Sequence, residues 1–225
     1  MRIPITKYGL PQAALYPGLT ALLMILGVLL FRKSPLLLPG EIVLGLLLLW
    51  SLSFFRDPRR RVPQDESILL SPADGRVTDI SLVRDEDGFP GEAIRIGIFL
   101  SVFDVHINRV PCSVRIDKVT YRPGAFKNAL SPQSGRVNEA NDVLLTRLAE
   151  PRAPLLVRQV SGAIARRIVC AARPGDEFRQ GDRFGMIKFG SRTELYLPAG
   201  LGSETLVAIG DTVRAGITPL VRLGR

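Results

Sequence analysis

Three stretches of the chain carry residue types that can move protons or make and break covalent bonds. The single histidine, His106, sits in Ser101-Val102-Phe103-Asp104-Val105-His106-Ile107-Asn108-Arg109. Read as a strand, the two-residue period puts Asp104, His106 and Asn108 on one polar face, with Phe103, Val105 and Ile107 on the other. An imidazole beside a carboxylate suits a general base, although a lone histidine is more often a satisfied structural residue. Asp74 lies in the turn Ser71-Pro72-Ala73-Asp74-Gly75. Asp-Gly turns are common; the functional reading is a carboxylate that orients His106 in a nucleophile–base–acid relay. Asp104 is the rival orienter. The third stretch is Lys188-Phe189-Gly190-Ser191-Arg192. Glycine leaves its carbonyl unhindered and tolerates a strained turn. Once deprotonated, the Ser191 hydroxyl can attack the Gly190 carbonyl and turn the amide into an ester. Elimination of that ester and loss of ammonia leave a pyruvoyl group at a new N-terminus. By abundance a Gly-Ser pair is more often a bend in a strand, and Gly202-Ser203 is a second pair close by.

Two kinds of element have to position these residues. No charged residue occurs from Ala13 to Phe31 or from Ile42 to Phe55, and Arg32-Lys33-Ser34-Pro35 separates the two runs. A bilayer span needs about 20 apolar residues, so the geometry is either two tight spans or a helical hairpin dipping into one leaflet. A cleaved signal peptide fits poorly, because the runs come in tandem without a small-residue cleavage site. Arg2 and Lys7 precede the hairpin, and Arg56, Arg59, Arg60 and Arg61 follow it. The positive-inside bias therefore puts the C-terminal part on the cytoplasmic face of the cell membrane. From about residue 62, Pro and Gly punctuate short alternating stretches at 76–80, 93–99, 113–119, 155–160 and 164–170, a β pattern. Turns are expected at Glu86-Asp87-Gly88, Pro174-Gly175-Asp176 and Gly210-Asp211, and the one case for a helix is a short segment from Pro123 to Leu130. Ile209 to Gly216 looks like the end of a barrel-sandwich. The fold class is mainly β (α+β): a barrel-sandwich-like β domain at 62–225, preceded by an apolar helical hairpin and basic flank at 1–61.

Composition narrows the chemistry. The 225 residues carry a net charge of +9, which suits partners bearing phosphate, either nucleic acid or anionic lipid. Aromatic residues are 7%, several of them in the hairpin, which is a poor supply of stacking platforms for nucleic acid. Cys112 and Cys170 are too few for a zinc cage or a disulfide framework and read as two reduced, buried thiols. One histidine excludes a multi-histidine metal site. Lys7, Lys33, Lys118, Lys127 and Lys188 include no convincing pyridoxal phosphate site and no modifiable lysine in the barrel-sandwich turn. A membrane-anchored adaptor or carrier without catalysis is the non-enzyme alternative.

From about Phe54 to the C-terminus the chain resembles the phosphatidylserine decarboxylase proenzymes of the short, single-histidine type. The resemblance is carried, in order, by Phe54-Phe55-Arg56-Asp57-Pro58, Ser71 to Gly75, Phe99 to Pro111, Arg122-Pro123-Gly124 and Lys188 to Arg192. It implies self-cleavage between Gly190 and Ser191, giving a large β chain (1–190) and a small α chain (191–225), with Ser191 becoming a covalent pyruvoyl group. Asp74 and His106 sit where the family carries out self-cleavage and decarboxylation. Ser191 is preferred to Ser203 because its flanks fit the family pattern. The implied reaction converts phosphatidylserine to phosphatidylethanolamine and CO2, with no metal and no pyridoxal phosphate. A pyruvoyl carbonyl stores the charge that decarboxylation leaves on carbon, which no side chain does well. A related serine lipid is the alternative substrate, and homo-oligomerisation stays open. Arg56 and Arg59 to Arg61 are expected to meet anionic lipid phosphates or to serve as plain anchors. The sequence departs from the family pattern in three places. Arg109 stands where longer relatives carry a second histidine, Asn138-Glu139-Ala140 replaces an Asn-Glu-Arg loop, and Val102 replaces a usual proline.

Overall fold

The computed structural model describes residues 5–86, 89–163, 167–188, 190–201 and 203–224, without the side chains of Glu86 and Pro90. Arg2, the Asp87-Gly88 turn, residues 164–166 of an expected strand, Phe189 and Gly202 therefore lie outside the described residues. The chain divides into two compact units between Arg59 and Arg60.

The first unit is a pair of helices, α1 (Leu10–Phe31) and α2 (Leu37–Phe54). At 1.5 Å per residue they run ~33 and ~27 Å, close to the ~30 Å of a bilayer's hydrocarbon core. The most apolar 18 residues of the first span (Lys7–Phe31) have a mean hydropathy of 2.2, and α2 has 1.9. Leu29, Leu30, Leu38 and Leu49 are each about two-thirds exposed, and neither helix has a polar face. A helix apolar all round needs apolar surroundings, so this pair suits lipid rather than the plane of an interface. The start and end of the unit are tied together by the Thr6 N–H to the Phe55 carbonyl (3.0 Å) and by packing of Tyr16 of α1 against Phe55, ring centroids 6.2 Å apart.

The second unit is β-rich. Its strands are β1 (Ile68–Leu70), β2 (Gly75–Glu86), β3 (Phe89–Leu100), β4 (Ile107–Arg109), β5 (Val114–Arg122), β6 (Ala140–Arg147) and β7 (Pro154–Val160). There follow β8 (Ile168–Cys170), β9 (Glu177–Phe178), β10 (Arg183–Ile187), β11 (Ser191–Pro198), β12 (Glu204–Thr205), β13 (Thr212–Val213) and β14 (Pro219–Arg222). An antiparallel eight-stranded sheet has the order β13-β2-β3-β11-β7-β6-β5-β9, and two three-stranded sheets run β1-β14-β12 and β4-β10-β8. Alternation decides what each face of the large sheet buries. One face supplies Ile96, Ile98, Leu100, Leu195, Leu197, Val143, Leu145, Leu155 and Val157, which pack with Leu69, Phe184, Leu220 and Val221 of the small sheets. Toward the start of β11 the same face turns polar, through Ser191 and Thr193 of β11, Gln159 of β7 and Asn141 of β6.

The opposite face carries buried charge. Arg192, fully buried, donates through Nε to Glu194 Oε1 (2.7 Å) and through Nη1 to Thr78 Oγ1 (2.6 Å), and its Nη2 meets Asp79. Arg158 holds Asp142 through Nε (2.7 Å) and Nη2 (3.1 Å) and reaches Tyr196 Oη (2.9 Å); Tyr196 in turn donates to Glu194 (2.7 Å). The Gly135 carbonyl of a short helix, α3 (Ser134–Val137), caps this layer by accepting from Arg122 Nη2 at 2.9 Å. Burial works against the charge of Arg192, but Glu194 and Asp79 outweigh it and its pKa is raised. Gly97 of β3 lies under the crossing, where a Cβ would collide with the Arg192 guanidinium and the Asp79 carboxylate.

Local details differ from the sequence expectations. Residues 123–130 form no helix; the helical turn comes later, at α3. Residues 101–106 are not strand, because the Asp104 N–H returns to the Ser101 carbonyl (3.0 Å) and the Asp104 carboxylate accepts from the Ser101 N–H (2.8 Å). This turn leaves Phe103 71% exposed while Val105 and Ile107 are buried, so the three do not share one face. Cys112 is buried as expected, whereas Cys170 is only half-buried.

Candidate active site

Ser191 opens β11 and pairs with Leu100 of β3, which fixes its backbone at the edge of the polar end of the core. The residue before it, Gly190, has φ +62°, a left-handed conformation that disfavours any side chain. The Ser191 side chain is fully buried, and its Oγ has no hydrogen-bond partner among the described residues. A buried hydroxyl without a partner forfeits free energy and marks a place where something else is meant to happen.

His106 is brought to this peptide. Its Nδ1 lies 3.0 Å from the Asp104 carbonyl, which can only accept, so Nδ1 carries the proton. Nε2 then presents a lone pair, and the Gly190 N–H donates to it at 3.4 Å. The Ile187 N–H bonds the His106 carbonyl (3.2 Å), pinning the histidine segment to β10 just ahead of the Gly-Ser pair. The imidazole is thus neutral, oriented and basic on the side of Gly190. Its orientation comes from the backbone of Asp104, whose carboxylate serves the turn instead.

Asp74 has other partners than His106. Its carboxylate takes a two-pronged contact from Arg60 (2.7 and 2.6 Å) and accepts from the Ala215 N–H (2.8 Å). The turn around it still supports the site, because the Pro72 carbonyl accepts from the Arg109 N–H (3.0 Å) and from Asn108 Nδ2 (3.4 Å). Arg60 is thereby turned inward, its side chain 7% exposed, and does not present itself to lipid phosphates as the sequence suggested. Arg109 donates to the Gly181 carbonyl (2.8 Å). A guanidinium stays protonated at any physiological pH, so Arg109 does not take over the duties of a second histidine. Of the rival pair, Ser203 is half-buried with an Oγ that is likewise covered and without a partner among the described residues, and Gly202 lies outside them.

The structure joins Asn108 and Lys188 to residues that the sequence did not single out, Asn141, Gln159 and Thr193 among them. Asn141 Nδ2 donates to Gln159 Oε1 (3.0 Å), Gln159 Nε2 to Asn108 Oδ1 (2.9 Å), and Asn108 Nδ2 to Thr193 Oγ1 (3.0 Å). This buried chain links four strands, β6, β7, β4 and β11, and ends two residues from Ser191. Glu139 and Ser161 follow directly on the ends of the β6 and β7 ladders, with the Ser161 N–H on the Glu139 carbonyl (2.9 Å). Glu139 is 7% exposed, accepts from Tyr121 Oη through Oε1 (3.1 Å), and has no partner for Oε2 among the described residues. The Asn138-Glu139 pair had drawn notice only for the arginine that does not follow it. Lys188 is also mostly buried; burial first, then repulsion from Arg167, holds its ammonium below the ordinary lysine range. The site can therefore offer a nucleophile, a neutral base and an unpartnered carboxylate oxygen, and the described residues contain no cluster of metal-ligating side chains.

Comparison with known proteins agrees with this arrangement. Residues 47–220 match the family model described as phosphatidylserine decarboxylase. The chain is similar to the phosphatidylserine decarboxylase proenzyme of Desulfotalea psychrophila, with 46% identity over 171 residues, covering 76% of this chain and 78% of the relative. It is similar to that of Rhodopirellula baltica at 41% identity, covering 98% and 88%, and to that of Ruegeria pomeroyi at 40%, covering 99% of each. With the match spanning the hairpin's end, the Asp74 turn, the histidine segment and the Gly-Ser pair, the chain belongs to the phosphatidylserine decarboxylase family of enzymes.

Proposed function

We propose that this protein is a pyruvoyl-dependent decarboxylase that converts phosphatidylserine to phosphatidylethanolamine and CO2 after cutting itself between Gly190 and Ser191. The observation that carries the proposal is the buried, unpartnered Ser191 hydroxyl beside a left-handed glycine whose N–H meets the neutral face of His106. The relatives' names, which call them proenzymes, agree with activation by processing.

His106 Nε2 takes the proton of the Ser191 hydroxyl as the oxygen attacks the Gly190 carbonyl, and the peptide becomes an ester with a free amine on residue 191. Removal of the Ser191 α-proton expels the Gly190 carboxylate, which ends the chain 1–190. The resulting unsaturated amine takes up one water and loses ammonia, leaving the ketone at the head of chain 191–225. Once formed, the pyruvoyl group supplies an electron sink for the charge left when carbon dioxide departs. The residues fit such a group. The β11 ladder to Leu100 holds the new end in place, and the amide chain through Asn108 fixes Thr193 behind it. Glu139 Oε2, buried and without a partner among the described residues, is the acceptor we assign to the ammonium of the serine headgroup. His106 is the proton donor we assign to the carbon that loses carbon dioxide. Asp74, clamped by Arg60, braces the turn under β4 that carries the histidine segment. The helical pair and its basic flank up to Arg59 serve as the membrane anchor and the β unit from Arg60 onward, two residues earlier than the sequence suggested, as the catalytic domain, on the cytoplasmic face by the arginines that follow the hairpin.

Intact mass of the purified protein tests the cut. The wild type is expected as two chains, 1–190 and a 35-residue 191–225 that lacks an amine terminus, and Ser191→Ala as one chain of 24.7 kDa. A cut before Ser203 would move the site. A whole wild type, with no carbon dioxide released from phosphatidylserine vesicles, would defeat the proposal.

A further inference from the structure

Exposed apolar side chains scattered singly, such as Leu82 and Ile209, need no partner. Three others are gathered around one peptide. Phe103 is 71% exposed, and its neighbour Val102 places Cγ1 3.8 Å from where a Cβ on Gly190 would stand. On the other side, Leu130 and Phe126 are 49% and 39% exposed on the loop that follows β5. Ala129 of that loop lies 3.3 Å from the place of a Cβ on Gly162, and the same place closes on the Gly190 carbonyl. The two loops therefore flank the Gly190–Ser191 peptide and turn large apolar side chains outward.

The charge around this collar has one sign. Lys127, Arg136 and Arg167 are exposed. Between Tyr121 and Val137 there are three basic residues and no acidic one. The carboxylates next to these loops in the chain are withdrawn: Asp104 is folded onto the Ser101 N–H, and Glu139 is buried. Apolar tips among cations match a surface of anionic headgroups over hydrocarbon, where each basic residue adds attraction and each buried aromatic adds transfer free energy.

We propose that this collar is a second lipid contact, made by the β unit itself: Phe103, Phe126 and Leu130 enter an anionic bilayer around the mouth of the site, and Lys127, Arg136 and Arg167 hold the headgroups there. The contact feeds a lipid headgroup to Ser191 without requiring the lipid to leave the membrane, and in that respect it rests on the decarboxylase reading. Docking itself does not depend on catalysis. The test uses the full chain, with Trp50→Phe to remove the only tryptophan and with Phe103→Trp or Leu130→Trp as reporter, in phosphatidylglycerol-containing vesicles. Bromine on the acyl chains is expected to quench both reporters, and neutral vesicles at high salt to lose that quenching. No quenching in either variant, with the far-UV circular dichroism of the wild type retained, overturns the proposal and leaves the collar to solvent or to a protein partner. A second arm compares rates on vesicle phosphatidylserine and on a monomeric short-chain phosphatidylserine. In Phe103→Asp/Leu130→Asp the vesicle-to-monomer ratio is expected to fall ~10-fold, the scale of one aromatic side chain withdrawn from an apolar phase. An unchanged ratio overturns the proposal. A wild type active on neither substrate overturns the decarboxylase reading, while the quenching arm still decides docking.

Discussion

Replacing Arg192 by methionine should destabilise the β unit far more than losing an exposed arginine does. Arg192 has no exposed surface, and its three donor nitrogens reach Glu194, Thr78 and Asp79 on two strands. Removing one partner of a buried ion pair costs roughly 3–5 kcal/mol, because the remaining charge stays buried. Two features favour the lower end. Asp79 keeps Arg95 at 3.2 Å, and Glu194 keeps the Tyr196 hydroxyl at 2.7 Å. We take ~3 kcal/mol, which for a domain of this size lowers Tm by about 6–12 °C. The assay is thermal unfolding followed by far-UV circular dichroism in detergent, with Ser191→Ala in every sample so that the chain is uncut. The control is Arg84→Met, whose partner Glu92 lies at 2.8 Å but whose own side chain is 79% exposed. An exposed pair contributes about 0–1 kcal/mol. Adding Asp79→Asn to Arg192→Met should cost less than the sum of the single changes, since the two share one interaction. If Arg192→Met melts together with Arg84→Met, the buried layer is not a stabilising network and the reasoning fails.

Three further outcomes follow from the same geometry. Gly190→Ala in the uncut Ser191→Ala chain should lower stability by ~1–2 kcal/mol through backbone conformation alone, because a Cβ there meets only Val102, at 3.8 Å; an unchanged melting temperature refutes the left-handed turn. Cys112, pushed by burial from 9.0 to about 12 against the pull of Arg147, is neutral in the fold where the unfolded thiol ionises. The stability this thiol contributes is whole below pH 9 and disappears as pH rises toward 12, and Cys112→Ala should abolish that part of the alkaline slope in a Tm–pH series. Glu139→Gln should still yield two chains by intact mass but lose ~10-fold or more in decarboxylation rate, as expected when a charged acceptor of an ammonium becomes neutral; equal activity removes Glu139 from the site.

The elements most legible in the sequence were those fixed by long, one-sided patterns. The two uncharged runs became α1 and α2, and the alternating stretches at 76–80, 93–99 and 155–160 became parts of β2, β3 and β7. The Ser101–Arg109 stretch misled because alternation does not reveal that Asp104 bonds back to the Ser101 N–H; that bond makes a turn of what reads as a strand. The meeting of His106 with Gly190 spans 84 positions and has no local signature. Arg60 was one of four similar arginines, and only the fold selects it for Asp74. Arg192, Glu194 and Tyr196 share one face of β11, as charged and polar residues of a solvent-facing strand do. Gly135 of α3 lies against Glu194 and Phe89 packs on Tyr196, cover that a sequence of β11 alone cannot announce.

One feature of the sheet bears on how the protein can be made. β11 is an interior strand, laddered to β3 on one side and β7 on the other, while β13 closes the same sheet and β12 and β14 build a smaller one with β1. If the chain is cut before Ser191, the small piece is a split-protein fragment with its strands threaded through two sheets of the large piece. Separation then requires the core itself to open, so the cut product survives as one body although no covalent bond joins its parts. Reassembly is another matter, since two dissolved fragments would have to find each other and insert an interior strand. On that cut, folding would be a single-use event that precedes processing, and the two-chain product would be held together along a route it could no longer retrace.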